Sequence, residues 1–386
     1  MAYYAWSFAD STTNITSVVR SMSYTVGRRS PDDMEATVAA TITLINNNDA
    51  TFPLTFNETV SFDFKIGATS YAQISGRVAA LTYQDEPGTG GNSSVTATLL
   101  NAFGLNSQIE LTAASIPAGT ISAQITSLNA LIDLDVNYLP NTATSPYTMA
   151  AQTYTGSPSD YIRTLSNADN AYLFCKDYSN VTYWAYEQGY VVNPVTIGRT
   201  ASSTQLAYTN IRRRKFVRPF YNQVTVSSTS VAAQTATNAT SVTAYGRKAF
   251  NLDTFYDTTT QAANAASWYA NAWSSEQFSF EADFIVENQS QSMWTQAGTV
   301  TTTGKVDTSP MASCVFQGLP TYLNVKYRAP GAAVDTTVPC ILEGVSVQAT
   351  PNSTIGTLYL TPAVFYSRFI LNNSYFGILD TDRLGW

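Results

Sequence analysis

The chain has 386 residues, with 20 Lys and Arg against 27 Asp and Glu and no histidine; length divided by about 150 allows two or three domains with cores of their own. A formal charge of -7 and a charged fraction of 12%, against about 25% in ordinary soluble proteins, exclude a general nucleic-acid binder, and the missing imidazole excludes Ser-His-Asp and Cys-His nucleophiles and HExxH metal sites. With 44% hydrophobic residues the chain is too apolar for disorder, and no apolar run approaches the ~18 residues that span a bilayer, so a folded protein without stable membrane insertion is expected. Val38, Ala40, Ile42 and Leu44, interleaved with threonines and ending at Asn46-Asn-Asn-Asp49, predict a half-buried strand and a turn. Val60, Phe62, Phe64 and Ile66 repeat the pattern, Gly76-Arg-Val78 opens a third run, and Val95 to Leu100 forms a fourth. The Gly/Ser-rich stretch 87–94 between the last two reads as a long hairpin loop, and the first hundred residues as an antiparallel β domain.

Residues 105–200 are mixed. Ile121, Ile125, Leu128, Leu131 and Ile132 suit a short helix within Ile121 to Leu134, and Ser157-Pro158-Ser-Asp160 supplies an N-cap, a first-position proline and an early acid for a helix from Pro158 to about Ala168. With strands at Tyr172 to Lys176 and Val181 to Tyr186, this is an α+β insert. Residues 201–290 return to β pattern at Asn222 to Val226 and Ser241 to Tyr245. A helix follows whose small apolar face is Ala262, Ala265, Ala266, Tyr269 and Trp273, implying close packing on a sheet. Phe278 to Val286 alternates with Ser279, Glu281, Asp283 and Glu287 as a strand, and Gly356 to Leu360 is the clearest strand of the last third. A weak internal repeat relates Gly76 to Thr82 plus Val95 to Leu100 with Glu343 to Ala349 plus Ile355 to Leu360.

Few groups stand out for chemistry. Cys175, Cys314 and Cys340 lack any CxxC spacing and read as small buried hydrophobes. The acid clusters Asp32-Asp33-x-Glu35, Asp133-x-Asp135 and Asp380-x-Asp382 have the residue types for glycoside hydrolysis or cation binding, but they sit beside turns where Asp commonly caps. Neither a catalytic residue, a metal site nor a cofactor is assigned. Arg212, Arg213, Arg214, Lys215 and Arg218 put five cations in seven residues of a chain otherwise poor in them. They suit an intersubunit or lumen contact, a solvated loop, or contact with a passing polyanion. Trp268, Trp294 and Trp386, in polar surroundings, raise the alternative of a carbohydrate-binding or depolymerising protein.

Several segments, taken in order, resemble a known family. Val26-Gly-Arg-Arg-Ser30, Met34 to Val38 and Ile42 to Asp49 are similar to the opening of minor tail proteins of long-tailed, siphovirus-like bacteriophages, and Ser75-Gly-Arg-Val78 to their next landmark. Tyr208 to Ile211, Tyr221 to Val226, Ser241 to Arg247, Glu343-Gly-Val345, Thr357 to Pro362 and Gly377 to Gly385 resemble the second half and the closing signature. The resemblance implies a mainly β virion protein of the tail tip, a baseplate hub, with two tail-tube-like β domains in one chain, each with a packed helix. It divides the chain into 1–104, the insert 105–200, a discontinuous second domain of 201–290 with 335–386, and a β insertion at 291–334. The implied assembly is a non-enzymatic homotrimeric, pseudo-six-fold ring, built in the host cytoplasm. Its partners would be the distal tail or tail tube protein, other tip proteins, the tape-measure protein and DNA in transit. A hexameric distal tail ring is the alternative within virion proteins.

Overall fold

Side chains that alternate between apolar and hydroxyl types bury one face of a pleated strand and leave the other half-solvated. In the computed structural model, which describes residues 4–10, 13–30, 33, 37–46, 54–66, 69–85, 93–132, 137–140, 147–175, 177–184, 192–200, 205–215, 220–275, 278–287, 321–351 and 353–363, this pattern opens the chain. It gives β1 (Tyr4–Asp10), β2 (Val19–Gly27), β3 (Val38–Asn46), β4 (Thr59–Ile66), β5 (Thr69–Asp85) and β6 (Ser93–Leu100). They pair antiparallel in the order β1-β4-β5-β6-β3-β2. Ala40, Ile42 and Leu44 of β3 and Val95, Ala97 and Leu99 of β6 are buried, as expected from the alternation. The β5–β6 hairpin forms, while most of its connection, 86–92, lies outside the described residues.

The middle of the chain is α+β: α1 (Ala102–Asn106), β7 (Leu111–Ile116), β8 (Gly119–Thr120), α2 (Ile121–Asn129), β9 (Asn137–Pro140), β10 (Thr148–Met149), β11 (Gln152–Gly156), α3 (Pro158–Asp169), β12 (Tyr172–Phe174) and β13 (Asn180–Trp184). α3 starts where its cap predicts, the Ser157 side chain accepting from the Asp160 N–H, and ends at Asn170 in the left-handed region, φ 51°. Next come β14 (Val192–Gly198), β15 (Gln205–Ala207), β16 (Asn210–Lys215), β17 (Gln223–Ser228), β18 (Gln234–Thr237), α4 (Ala239–Tyr245), β19 (Ala249–Thr254) and α5 (Thr259–Ala272). Last are β20 (Phe278–Glu287), β21 (Thr321–Tyr327), β22 (Thr336–Ala349) and β23 (Ser353–Pro362). The expected strand at Ser241 to Tyr245 is instead α4. The Asn238 side chain accepts from the Ser241 N–H at 3.0 Å, satisfying a helix-start donor. Of the helix only Ser241 is buried, so its Val/Thr alternation had no sheet face to bury.

Two cores result. The first holds the sheet: Trp6, Phe8, Phe62 and Phe64 from the N-terminal strands pack with Phe280, Phe284, Leu323, Val325, Leu342 and Leu360 from the C-terminal ones. The second combines residues 102–183 with α5 and the β18-β17-β19 sheet. Contacts therefore group residues 220–273 with the middle insert rather than with the C-terminal strands. The Ala262, Ala265, Ala266 and Tyr269 face of α5 is buried against β17 and β18, which is the sheet packing its small side chains imply.

The large sheet contains a repeat far longer than one hairpin. β2, β3, β4, β5 and β6 recur, in the same chain order, as β16, β20, β21, β22 and β23; each set lies across the sheet as third, fourth, fifth, second, first. Both fourth strands carry a bulge at the same place. Ala79 is the extra residue between Val78, opposite Leu99, and Ala80, opposite Thr98. Glu343 is the extra residue between Leu342, opposite Leu360, and Gly344, opposite Tyr359. From bulge to turn the ladders match: Ala80–Asp85 on Ser93–Thr98, and Gly344–Ala349 on Thr354–Tyr359. This register sets Val95 against Gly356, both facing the core, whereas the alignment read from sequence set it against Ile355, which is 48% exposed. A one-residue slip exchanges the faces of a strand, so burial decides the register.

Candidate functional site

The two repeats join where β2 pairs antiparallel with β22, Met22–Gly27 against Gly344–Ala349. At the end of this seam Gly27 has φ 80°, and a Cβ there would stand 2.8 Å from the Gly344 Cα; one on Gly344 would stand 2.8 Å from the Arg28 N. Only glycines let the two backbones approach this closely. The next residues form a buried ion pair, Arg28 Nε to Glu343 Oε2 at 2.8 Å, with side chains 9% and 1% exposed. Tyr172, from the middle insert, donates its hydroxyl to the Glu343 carbonyl and lies under the Arg28 guanidinium, 4.8 Å from ring centroid to Cζ. Two motifs of the family resemblance, Gly27-Arg28 and Glu343-Gly344, thus meet in space and are clamped by a third segment.

Tyr24, also on β2, is wholly enclosed by rings including Trp6 and Phe62, and burial pushes its hydroxyl pKa well above the usual tyrosine value. The folded chain therefore keeps a proton that the unfolded chain releases at about pH 10. This contribution is complete below the unfolded value and is lost as pH rises through the folded one. Tyr24→Phe is expected to flatten the fall in denaturation midpoint above pH 10; an unchanged slope would refute the assignment.

The basic cluster lies on β16, an edge strand paired only with β20 among the described residues. Arg212 is bidentate to Asp283, both bonds 2.9 Å, and its Nε reaches Glu281 at 2.9 Å. Arg214 reaches the other Glu281 oxygen at 2.9 Å. Hydrogen bonding to Glu281 raises the Arg212 guanidinium pKa, and Asp283 adds to this. Arg213 points to the opposite face, donating to the Tyr327 hydroxyl at 3.0 Å and stacking near Phe278 and Tyr327. Lys215 ends the strand and Arg218 lies outside the described residues. Two carboxylates thus offset part of the four described cations, which weakens the field a phosphate backbone would feel. Glu281 and Asp283 were visible in sequence as polar positions of an alternating strand; their role depends on the β16–β20 register.

Arg28 also lines a cleft of about 400 Å³ beside the second core, with Asp33, Arg163, Asn170, Asp253 and Trp273. Of the acids singled out in sequence, Asp33 is here; Asp32, Glu35, Asp133, Asp135, Asp380 and Asp382 lie outside the described residues. Cys175 and Cys340 are buried, and burial raises the Cys340 pKa well above the ordinary thiol value; Cys314 lies outside the described residues. Trp268 is partly buried against the second core with its ring edge-on to Tyr269, while Trp294 and Trp386 lie outside the described residues. Among the described residues no group of three potential ligands gathers as a metal site would, and no helix is long and apolar enough to cross a membrane.

No family model and no curated relative matches the chain. Solved structures do, over nearly all of it. The tail protein from Neisseria meningitidis MC58 superposes with a TM-score of 0.59 at 11% identity, covering 94% of this chain and 98% of its own. The 43 kDa tail protein of prophage MuSo2 from Shewanella oneidensis gives 0.58 at 10%, covering 94% and 99%. The chain has the fold of a phage tail protein. An Escherichia coli component of the type VI secretion system, described as structurally similar to two T4 bacteriophage tail proteins, matches this tail-protein fold at 0.51 and 10% identity, over 92% of this chain and 76% of that one.

Proposed function

We propose that the protein is a structural subunit of a phage tail tip: a homotrimeric hub ring of pseudo-six-fold symmetry that joins the tail tube to the tip. The observation that carries this reading is the five-strand unit repeated within one chain, in the same strand order and with a matching bulge in each fourth strand. A six-fold tube can be matched to a three-fold tip when each of three chains supplies two similar units. In this reading 1–104 is the first tube-like domain and the second is discontinuous, 201–290 with 335–386. The segments 105–200 and 291–334 are insertions apart from β21, Thr321–Tyr327, which is the third strand of the second repeat, and residues 220–273 pack with the first of these insertions. The protein is not an enzyme; its ring surrounds the channel for the tape-measure protein and DNA, contacts the distal tail or tube protein and other tip proteins, and resides in the virion. Mass photometry of the purified protein is expected to give three copies per particle at micromolar concentration. A monomer at every concentration would overturn the reading, and six copies would replace it with the hexameric distal ring.

A further inference from the structure

Two helices end on the cleft beside the second core, and each brings a buried donor without an acceptor. α3 ends at its C-cap Asn170, whose φ of 51° is left-handed, and α5 ends at its C-cap Trp273. Both residues line the cleft, at 8% and 4% exposure. The Asn170 Nδ2 and the Trp273 Nε1 are shielded from water and make no hydrogen bond. A buried donor left unpaired opposes folding, so a pair of them on one cleft calls for an explanation. Part of the wall is aromatic. Tyr221 and Phe250 stack with ring centroids 4.5 Å apart, and Phe250 meets the Trp273 ring at 5.6 Å. Asp33 and Asp253 add exposed carboxylates. Arg28 and Arg163, also in the wall, already hold the carboxylates of Glu343 and Asp160, so the local charge does not favour an anion.

We propose that this cleft binds a neutral saccharide of one or two rings. A sugar hydroxyl is donor and acceptor at once. Its oxygens supply what the Asn170 amide and the Trp273 indole lack, and its protons suit the carboxylates of Asp33 and Asp253. The C–H face of a pyranose is apolar and packs on aromatic rings. An anionic ligand would meet the two carboxylates, and a hydrocarbon would leave both donors unpaired. A single water, about 30 Å³ in the liquid, would fill little of a cleft of about 400 Å³, a size within the about 300–1,000 Å³ of small-ligand sites. Because both nitrogens are shielded from water, binding includes a small turn of the Asn170 amide or the Trp273 ring. Such a site adds a ligand to the structural role proposed above and does not depend on the ring.

The purified full chain is titrated with maltose, cellobiose and N,N′-diacetylchitobiose, with glucuronate as an anionic control. The reporter is the indole N–H resonance of Trp273, identified by its absence from the Trp273→Phe variant. At least one of the disaccharides is expected to move it saturably, and glucuronate should bind more weakly. Trp273→Phe keeps an aromatic ring and deletes one donor; Asn170→Gly deletes the other at a left-handed position that glycine adopts without strain. Each variant should bind that disaccharide at least tenfold more weakly by calorimetry while keeping the native circular dichroism spectrum. No saturable shift with any of the three sugars, an affinity that neither variant lowers, or glucuronate binding as tightly as the sugar overturns the proposal. None of these results bears on copy number, so the ring reading stands or falls separately by mass photometry.

Discussion

Arg28→Ala is expected to cost about 3–5 kcal/mol of stability, because it strands the Glu343 carboxylate, 1% exposed, without its cation. Glu343→Ala should cost a similar amount for the converse reason. The pair sits where β2, β22 and β12 converge, so the loss should loosen the seam between the repeats as well as the contact of Tyr172. Replacing both partners with apolar residues of similar size, Arg28→Met/Glu343→Leu, should recover most of the loss, since the principal penalty is an unpaired buried charge. Urea midpoints of the two single variants and the double variant form the test. Additive losses in the double variant would show that the pair does not act as a unit. The second expectation attached to the seam is structural: a weakened junction should make the two repeats separate in local exchange before the β5–β6 ladder opens.

Trp6→Ala is the other large effect, again about 3–5 kcal/mol. The indole is 1% exposed at the centre of a ring cluster with Phe8, Tyr24, Phe62 and Phe64. Its Nε1 donates to the Thr354 hydroxyl at 3.0 Å, across 348 residues of sequence. β1, which pairs with β4 at the edge of the first repeat, is thereby tied to β23 of the second. Trp6→Phe keeps most of the apolar area and removes the bond, leaving a buried hydroxyl, and should cost only about 1–3 kcal/mol. If the two variants lost the same amount, the hydrogen bond rather than the packing would dominate, contrary to this account.

Strands β3 and β20 and helices α3 and α5 were legible because each carries a local signal. The strands have a strict period of two; the helices have a cap and a small apolar face. α4 was not, because its Val/Thr alternation mimics a strand and the deciding group is the amide side chain of Asn238. The grouping of 220–273 with the middle insert was also invisible, since nothing in α5 distinguishes one apolar sheet face from another. The basic cluster was conspicuous in the sequence as five cations in seven residues, and the structure places its described members on an edge. Its counter-charges, Glu281 and Asp283, were read only as the polar side of a strand.

Composition and periodicity alone determined that this is a histidine-free, β-rich chain whose strands alternate between apolar and hydroxyl side chains, and which gathers five cations within seven residues. Tertiary structure alone decided which strands are neighbours. A period of two says which way a side chain points and nothing about which partner lies alongside, because pairing is set by burial and backbone hydrogen bonding between segments hundreds of residues apart. Hence the five-strand repeat and the glycine and Arg28–Glu343 seam emerge only once the registers are in place.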